Sequence, residues 1–127
     1  MTIFTYQNKA HMKIIFEEEA LQELYETGKT KDRKYKKYSK DPRFIYKFQR
    51  AIKAIKSSET IEDIRNHSFL DYEPLKHTLN GWYSAKVWKK ERIERLIVRH
   101  EIEEEEDRIY LAFIVEMDNT HYGNNGK

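Results

Sequence analysis

The apolar residues of this chain change their spacing part-way along it, and that change restricts the fold more than any other feature. Between residues 17 and 56 they recur every third or fourth position, which lays a single stripe along a helix. Beyond residue 75 they gather in short runs rich in Trp, Tyr, Ile, Leu, Val and Phe, the texture of strands. Helices followed by strands predict an α+β fold, with the helices on one face of a small antiparallel sheet.

The boundaries follow from local signals. Lys13-Ile-Ile-Phe16 reads as a short strand, residues 1–11 as a weakly patterned extension ahead of it, and Met12 as an alternative start. Residues 17–27 place Ala20, Leu21, Leu24 and Tyr25 at helical spacing, with acids in the first turn that suit the positive helix end and Gly28 as a stop. Asp41-Pro42 is a cap followed by proline at the first helical position, and Phe44, Ile45, Phe48, Ile52 and Ile55 draw the stripe of a second helix to residue 56. Thr60-Ile-Glu-Asp63 is a capping box for a short helical turn through Ile61 and Ile64, and a loop containing Pro74 follows. Three strands are expected at residues 82–88, 94–102 and 108–117. Their links, residues 89–92 and 103–107, are too short for parallel crossovers, so they predict a meander. At 127 residues the chain fits a single domain, in which the N-terminal strand and this meander form the sheet.

Charge is unevenly spread. A net charge of +2 conceals residues 29–56, which hold twelve Lys/Arg against two Asp, while the remainder holds twelve against twenty acids. Such a stretch is suited to a polyanion, RNA first. Arg43, Lys47, Arg50, Lys53 and Lys56 lie off the apolar stripe of the second helix, so they are either a docking surface or a solvated helix face with snorkelling side chains. Residues 29–40, almost all polar or basic with Tyr35 and Tyr38 interleaved, fit equally a loop and a solvated extension of either helix.

The chain has no cysteine, which rules out disulfides, thiolate metal sites and a cysteine nucleophile. No apolar run approaches the roughly 18 residues of a membrane span, and the opening residues lack the basic and apolar regions of a signal peptide. A cytoplasmic protein without a membrane partner is expected. Gly-rich phosphate loops, nucleophile elbows and zinc-finger spacings are missing too, so no nucleotide cofactor is expected. The acidic run of residues 103–107 reads as a solvated hairpin tip, and no His or carboxylate set has metal-ligand spacing.

Several residues could carry chemistry. Histidine exchanges protons near neutrality, and His77, just before the meander, and His121, after its last strand, stand where a scaffold presents reactive groups. Arg95, Ile97 and Arg99 share one face of the middle strand, where a guanidinium could clamp a phosphate or pair with Glu91, Glu94 or Glu101; Lys86 on the neighbouring strand has the same two uses. Trp82, Tyr83 and Trp88 suit either base stacking or the core. Cleaving RNA without a metal needs a base for the 2′-hydroxyl, an acid for the leaving 5′-oxygen and positive charge for the phosphorane, and two His or His/Tyr with Arg and Lys supply all three.

The order of elements and several strings resemble the RelE/ParE toxin superfamily, most closely its HigB branch, over about residues 12–122. The strings are Leu24-Tyr-Glu-Thr-Gly28, Ile61-Glu-Asp-Ile-Arg65, Leu75-Lys-His-Thr-Leu-Asn-Gly-Trp-Tyr-Ser84 and Glu94-Arg-Leu-Ile-Val98. The resemblance implies a RelE-like fold and a ribosome-dependent mRNA endoribonuclease, the toxin of a type II toxin–antitoxin module. Its implied partners are a HigA-like helix-turn-helix antitoxin, mRNA in the ribosomal A site, ribosomal RNA, and operator DNA through the antitoxin alone. It implies no cofactor and no metal. Carried over by position, Arg95 and Lys86 hold the scissile phosphate, His77 and His121 share acid and base work, and Asp118 and Tyr122 orient or assist them. From the charge pattern, and not from the resemblance, Arg43, Lys47, Arg50, Lys53 and Arg99 are the expected RNA contacts. Asn80 stands where HigB-like chains often have lysine, and Asn119-Thr120 separates Asp118 from His121 where relatives are more compact. Two other functions fit the same resemblance: ParE-like poisoning of DNA gyrase without nuclease chemistry, and a binding domain without activity.

Overall fold

A computed structural model describes residues 12–75, 81–88 and 92–119 of the chain. Strand β1 (Lys13–Phe16) leads into helix α1 (Glu19–Thr27), helix α2 (Pro42–Lys56) and the short helix α3 (Ile61–Arg65), followed by strands β2 (Glu73–Pro74), β3 (Trp82–Lys86), β4 (Arg95–Glu103) and β5 (Arg108–Asp118). The chain is α+β, as its periodicity predicts. The sheet differs from expectation in two respects. It has five strands in the order β1-β5-β4-β3-β2, and it is mixed, because β1 runs parallel to β5 while the other pairs are antiparallel. Parallel pairing is open to β1 because both helices lie between it and β5, which provides the long crossover it needs.

Each helix ends for a local reason. The N–H of Gly28 returns to the Leu24 carbonyl at 2.9 Å with φ at 80°, a left-handed conformation that glycine adopts without a Cβ penalty. Asp41 opens α2 by accepting from the Phe44 N–H at 3.1 Å, with Pro42 already holding a helical φ. Thr60 and Asp63 close the capping box that their spacing predicts.

Leu21 and Leu24 of α1 and Phe44, Phe48, Ile52 and Ile55 of α2 are fully buried. They form one core with Ala85, Leu96, Val98, Ala112, Ile114 and Met117 of the sheet. Because directly paired residues point to the same face, this set defines the helix-covered face. Ile97 is buried but stands outside that core, on the opposite face.

Residues 29–40 are neither a solvated extension of a helix nor an open loop. Tyr35 and Tyr38 are buried, and residues 36–40 form a 3-10 turn. The Thr30 N–H donates to Ser39 Oγ at 2.9 Å, and that hydroxyl donates back to the Thr30 carbonyl at 3.2 Å, which closes the segment on itself. We call it the basic strap.

Among the described residues, no helix is long and apolar enough to cross a membrane.

Candidate functional site

The register of the sheet sets three of the residues singled out by sequence side by side. Lys86 of β3 is paired with Arg95 of β4, and Arg95 is paired with Asp118 of β5, so the three form one cross-strand row on the face opposite the core. Further along that face, Trp82, Arg99 and Phe113 form a second row. The irregularity between Ile97 and Val98 leaves the alternation of β4 intact, because the unpaired residue, Val115, lies on β5; Arg95 and Arg99 therefore keep the shared face their spacing predicts.

Arg95 is held by neutral oxygens. Its Nε donates to Ser84 Oγ at 2.9 Å, and its Nη2 donates to the Asp71 carbonyl at 2.7 Å and, more loosely, to the Ser84 carbonyl at 3.5 Å. Such acceptors fix the plane of a guanidinium without cancelling its charge. The carboxylate of Asp71 stands 3.5 Å from Nη1. Lys86 Nζ donates to the Arg92 carbonyl at 3.1 Å, which keeps the ammonium beside the start of β4.

Arg99 is differently placed. Its guanidinium lies 3.9 Å from the centre of the Phe113 ring and its Nη2 is 3.0 Å from Glu17 Oε2, tying the middle strand across β5 to the residue that follows β1. Of the pairing partners considered from sequence, neither Glu94 nor Glu101 forms an ion pair with Arg95 or Arg99 among the described residues, and Glu91 lies outside them.

The basic strap is fastened at the sheet end that carries the row. The Tyr35 hydroxyl accepts from the Met117 N–H at 3.2 Å and makes a short hydrogen bond to the Glu18 carboxylate. The Tyr38 hydroxyl donates to Glu94 Oε2 at 2.8 Å. Met117 precedes Asp118, and Glu94 precedes Arg95. Lys34 of the strap reaches the row's own face, where its Nζ is 2.9 Å from Glu116 Oε1.

These contacts set the electrostatics. Burial raises the Tyr38 hydroxyl above its ordinary range, and the Glu94 carboxylate beside it adds to that, so the group remains a donor. Burial alone would raise Glu94, but hydrogen bonds from Arg92 and Tyr38 outweigh it and hold the carboxyl below the usual range. A buried carboxylate therefore remains charged, and Arg92 is its counter-ion with Nη2 at 3.0 Å.

On α2, the off-stripe cations divide into two kinds. Lys53 is exposed, whereas the Arg50 guanidinium lies 3.9 Å over the Phe69 ring, with its Nε buried and without a hydrogen-bond partner among the described residues. Arg43 stands 5.7 Å from the Trp88 ring, which Arg92 approaches to 5.0 Å, and Lys47 lies near the Tyr46 ring at 5.9 Å. Trp88 and Tyr83 both pack against the core cluster.

His100 is paired with Ala112 and belongs to the helix-covered face. Its Nε2 is 2.5 Å from the Tyr72 hydroxyl, and both rings pack against Tyr83. Burial pulls this imidazole down to about 4, so it is neutral at physiological pH.

His77, His121 and Tyr122 lie outside the described residues. Among those described, no three His, Asp or Glu side chains gather as metal ligands would. Sequence reasoning did not find Ser84 and Asp71, which hold Arg95, and it offered Glu94 as a partner of the strand arginines where the structure gives it Tyr38 and Arg92. Ser84 is a strand residue between apolar neighbours and Asp71 a loop residue, and neither carries a pattern. For the strap a signal existed: two tyrosines three residues apart in a basic run are spaced to bury together on one side of a helical turn.

No protein-family model matches the chain, and a search of curated proteins finds no match.

Proposed function

We propose that this protein is a metal-independent endoribonuclease that cleaves mRNA on the ribosome, and the toxin of a type II toxin–antitoxin module. The observation that carries the reading is the row of Lys86, Arg95 and Asp118, set across three strands beside the attachment of the basic strap. Two cations fixed next to each other suit a scissile phosphodiester, whose negative charge grows as the phosphorane forms. The fixed guanidinium costs no reorganisation when that charge develops.

In this mechanism, one of His77 and His121 takes the proton from the 2′-hydroxyl as its oxygen attacks phosphorus. The other gives a proton to the departing 5′-oxygen, leaving a 2′,3′-cyclic phosphate. Asp118 and Tyr122 orient or assist them. Arg43, Lys47, Arg50, Lys53 and Arg99 contact RNA; Lys53 meets phosphates directly, while Arg50 and Arg99 do so from their aromatic neighbours. Such contacts position a protein without selecting sequence. The protein acts in the cytoplasm and is held inactive by a HigA-like helix-turn-helix antitoxin, through which alone it reaches operator DNA.

Induction in bacteria, with mapping of transcript ends, tests the reading. Arrest of translation with new mRNA ends is expected, and alanine at His77 or His121 abolishes cleavage on programmed ribosomes while the fold persists. Undiminished cleavage in both variants overturns the assignment of the histidines. A DNA-damage response with intact mRNA replaces the reading with gyrase poisoning, and the absence of any effect replaces it with a binding domain.

A further inference from the structure

We propose that the carboxylate of Asp71 is a built-in competitor for the phosphate site at Arg95, and that it lowers the hold of the site on single phosphates to a level that only a strand anchored elsewhere overcomes. The inference rests on the reading of Arg95 as a phosphate-holding residue.

Among the described residues, the contacts of Arg95 are of two kinds. Nε and Nη2 are taken up by Ser84 Oγ and by the Ser84 and Asp71 carbonyls, all neutral. The single charged contact is Nη1 to Asp71 Oδ2 at 3.5 Å. That is well beyond the roughly 2.7–2.9 Å of a good charge-assisted hydrogen bond. The Asp71 side chain is 55% exposed and that of Arg95 19%. A solvated carboxylate at long range leaves a guanidinium at little cost. Asp71 thus holds Arg95 firmly with its backbone and loosely with its side chain.

The backbone makes the side chain notable. Asp71 has φ 44° and ψ 54°, a left-handed conformation for which glycine is the least strained choice and which Asp tolerates. Geometry at this corner does not ask for a side chain, yet one is present and its charge is directed at Arg95. Asp71 places a carboxylate beside Arg95 in addition to that of Asp118 on the paired strand. A lone phosphate must displace Asp71 and has only this site to hold it, so even a modest cost lowers its occupancy. An RNA strand that is also held by the cations of the strap and α2 meets the same obstacle with further contacts in reserve.

The test uses Asp71→Asn, which keeps the left-handed tolerance and removes the charge, with Asp71→Gly as a second variant that also relieves the backbone. Inorganic phosphate is the probe, followed by the Arg95 Nε–H resonance in NMR titrations, so no cleavage is required. Both variants are expected to bind phosphate about two- to fivefold more tightly than the parent, the range of a partly exposed ion pair. With Arg95→Gln in the background, the gain vanishes. For an uncleavable 2′-O-methyl RNA of ten nucleotides, the affinity rises by a similar factor from a tighter starting value. Phosphate affinity that is unchanged or weaker in both folded variants, or a gain that survives Arg95→Gln, overturns the competitor. Loss of mRNA cleavage in the parent protein would instead overturn the endoribonuclease while leaving the phosphate comparison standing.

Discussion

The Tyr38 hydroxyl donates to Glu94 Oε2 at 2.8 Å, so a residue from the closing turn of the basic strap is bonded to the residue that precedes Arg95. Tyr38→Phe removes the donor and leaves a buried carboxylate with Arg92 as its main partner. A loss of about 1–3 kcal/mol is expected, the usual cost of an unmet buried acceptor, read from the midpoint of urea unfolding. If cleavage falls more than the folded fraction, the strap also positions the row.

His100 predicts how stability depends on pH. Its folded value of about 4 lies below the value near 6.5 of an unfolded histidine. The native state therefore binds fewer protons in this window. The stabilisation is complete above pH 6.5 and is lost as the pH falls from 6.5 towards 4, by at most roughly 3 kcal/mol. His100→Gln flattens that part of the profile. A parent protein with equal urea midpoints at pH 7 and pH 5 would contradict this.

The cations of α2 should separate by mutation. Lys53 is exposed, so Lys53→Glu leaves thermal stability within about 0.5 kcal/mol of the parent and weakens RNA binding in a salt-dependent way. Arg50→Ala also loses its packing on Phe69 and lowers the melting temperature. Lys47→Glu and Arg50→Glu combined with Lys53→Glu should weaken ribosome binding. Unchanged binding would make this a solvated helix face.

Asp41 caps α2 through the Phe44 N–H, and that helix supplies the longest run of core residues. Asp41→Ala is expected to cost about 1 kcal/mol, with Asp41→Asn close to the parent. Circular dichroism during thermal unfolding measures both.

How far the sequence foretold this molecule depended on whether a segment's own residues settle its structure. The α2 stripe, its Asp41-Pro42 start, the Thr60/Asp63 box and the three-strand meander all rest on local spacing, and each is found. The parallel partner of β1 was not legible, because alternation says which face a side chain takes and nothing about which strand lies alongside. β2 is two residues long and contains Pro74, so it offers no period; proline there suits an edge strand. The row of Lys86, Arg95 and Asp118 was legible as three residue types on three strands, but its alignment comes from register. Asp71 and Ser84 were hidden because their importance comes from partners distant in sequence, and the same distance hid the bond of Glu94 to Tyr38.

The pairing of β1 with β5, Lys13 against Leu111 and Phe16 against Ile114, joins two segments separated by every other element of the fold. Contacts this far apart in sequence form slowly. On the ribosome, β1 has no neighbour until β5 has left the exit tunnel, and the residue that completes the row, Asp118, emerges with the end of that same strand. Until β5 is free to pair, β1 stays without a partner and the row lacks Asp118, and one strand supplies both.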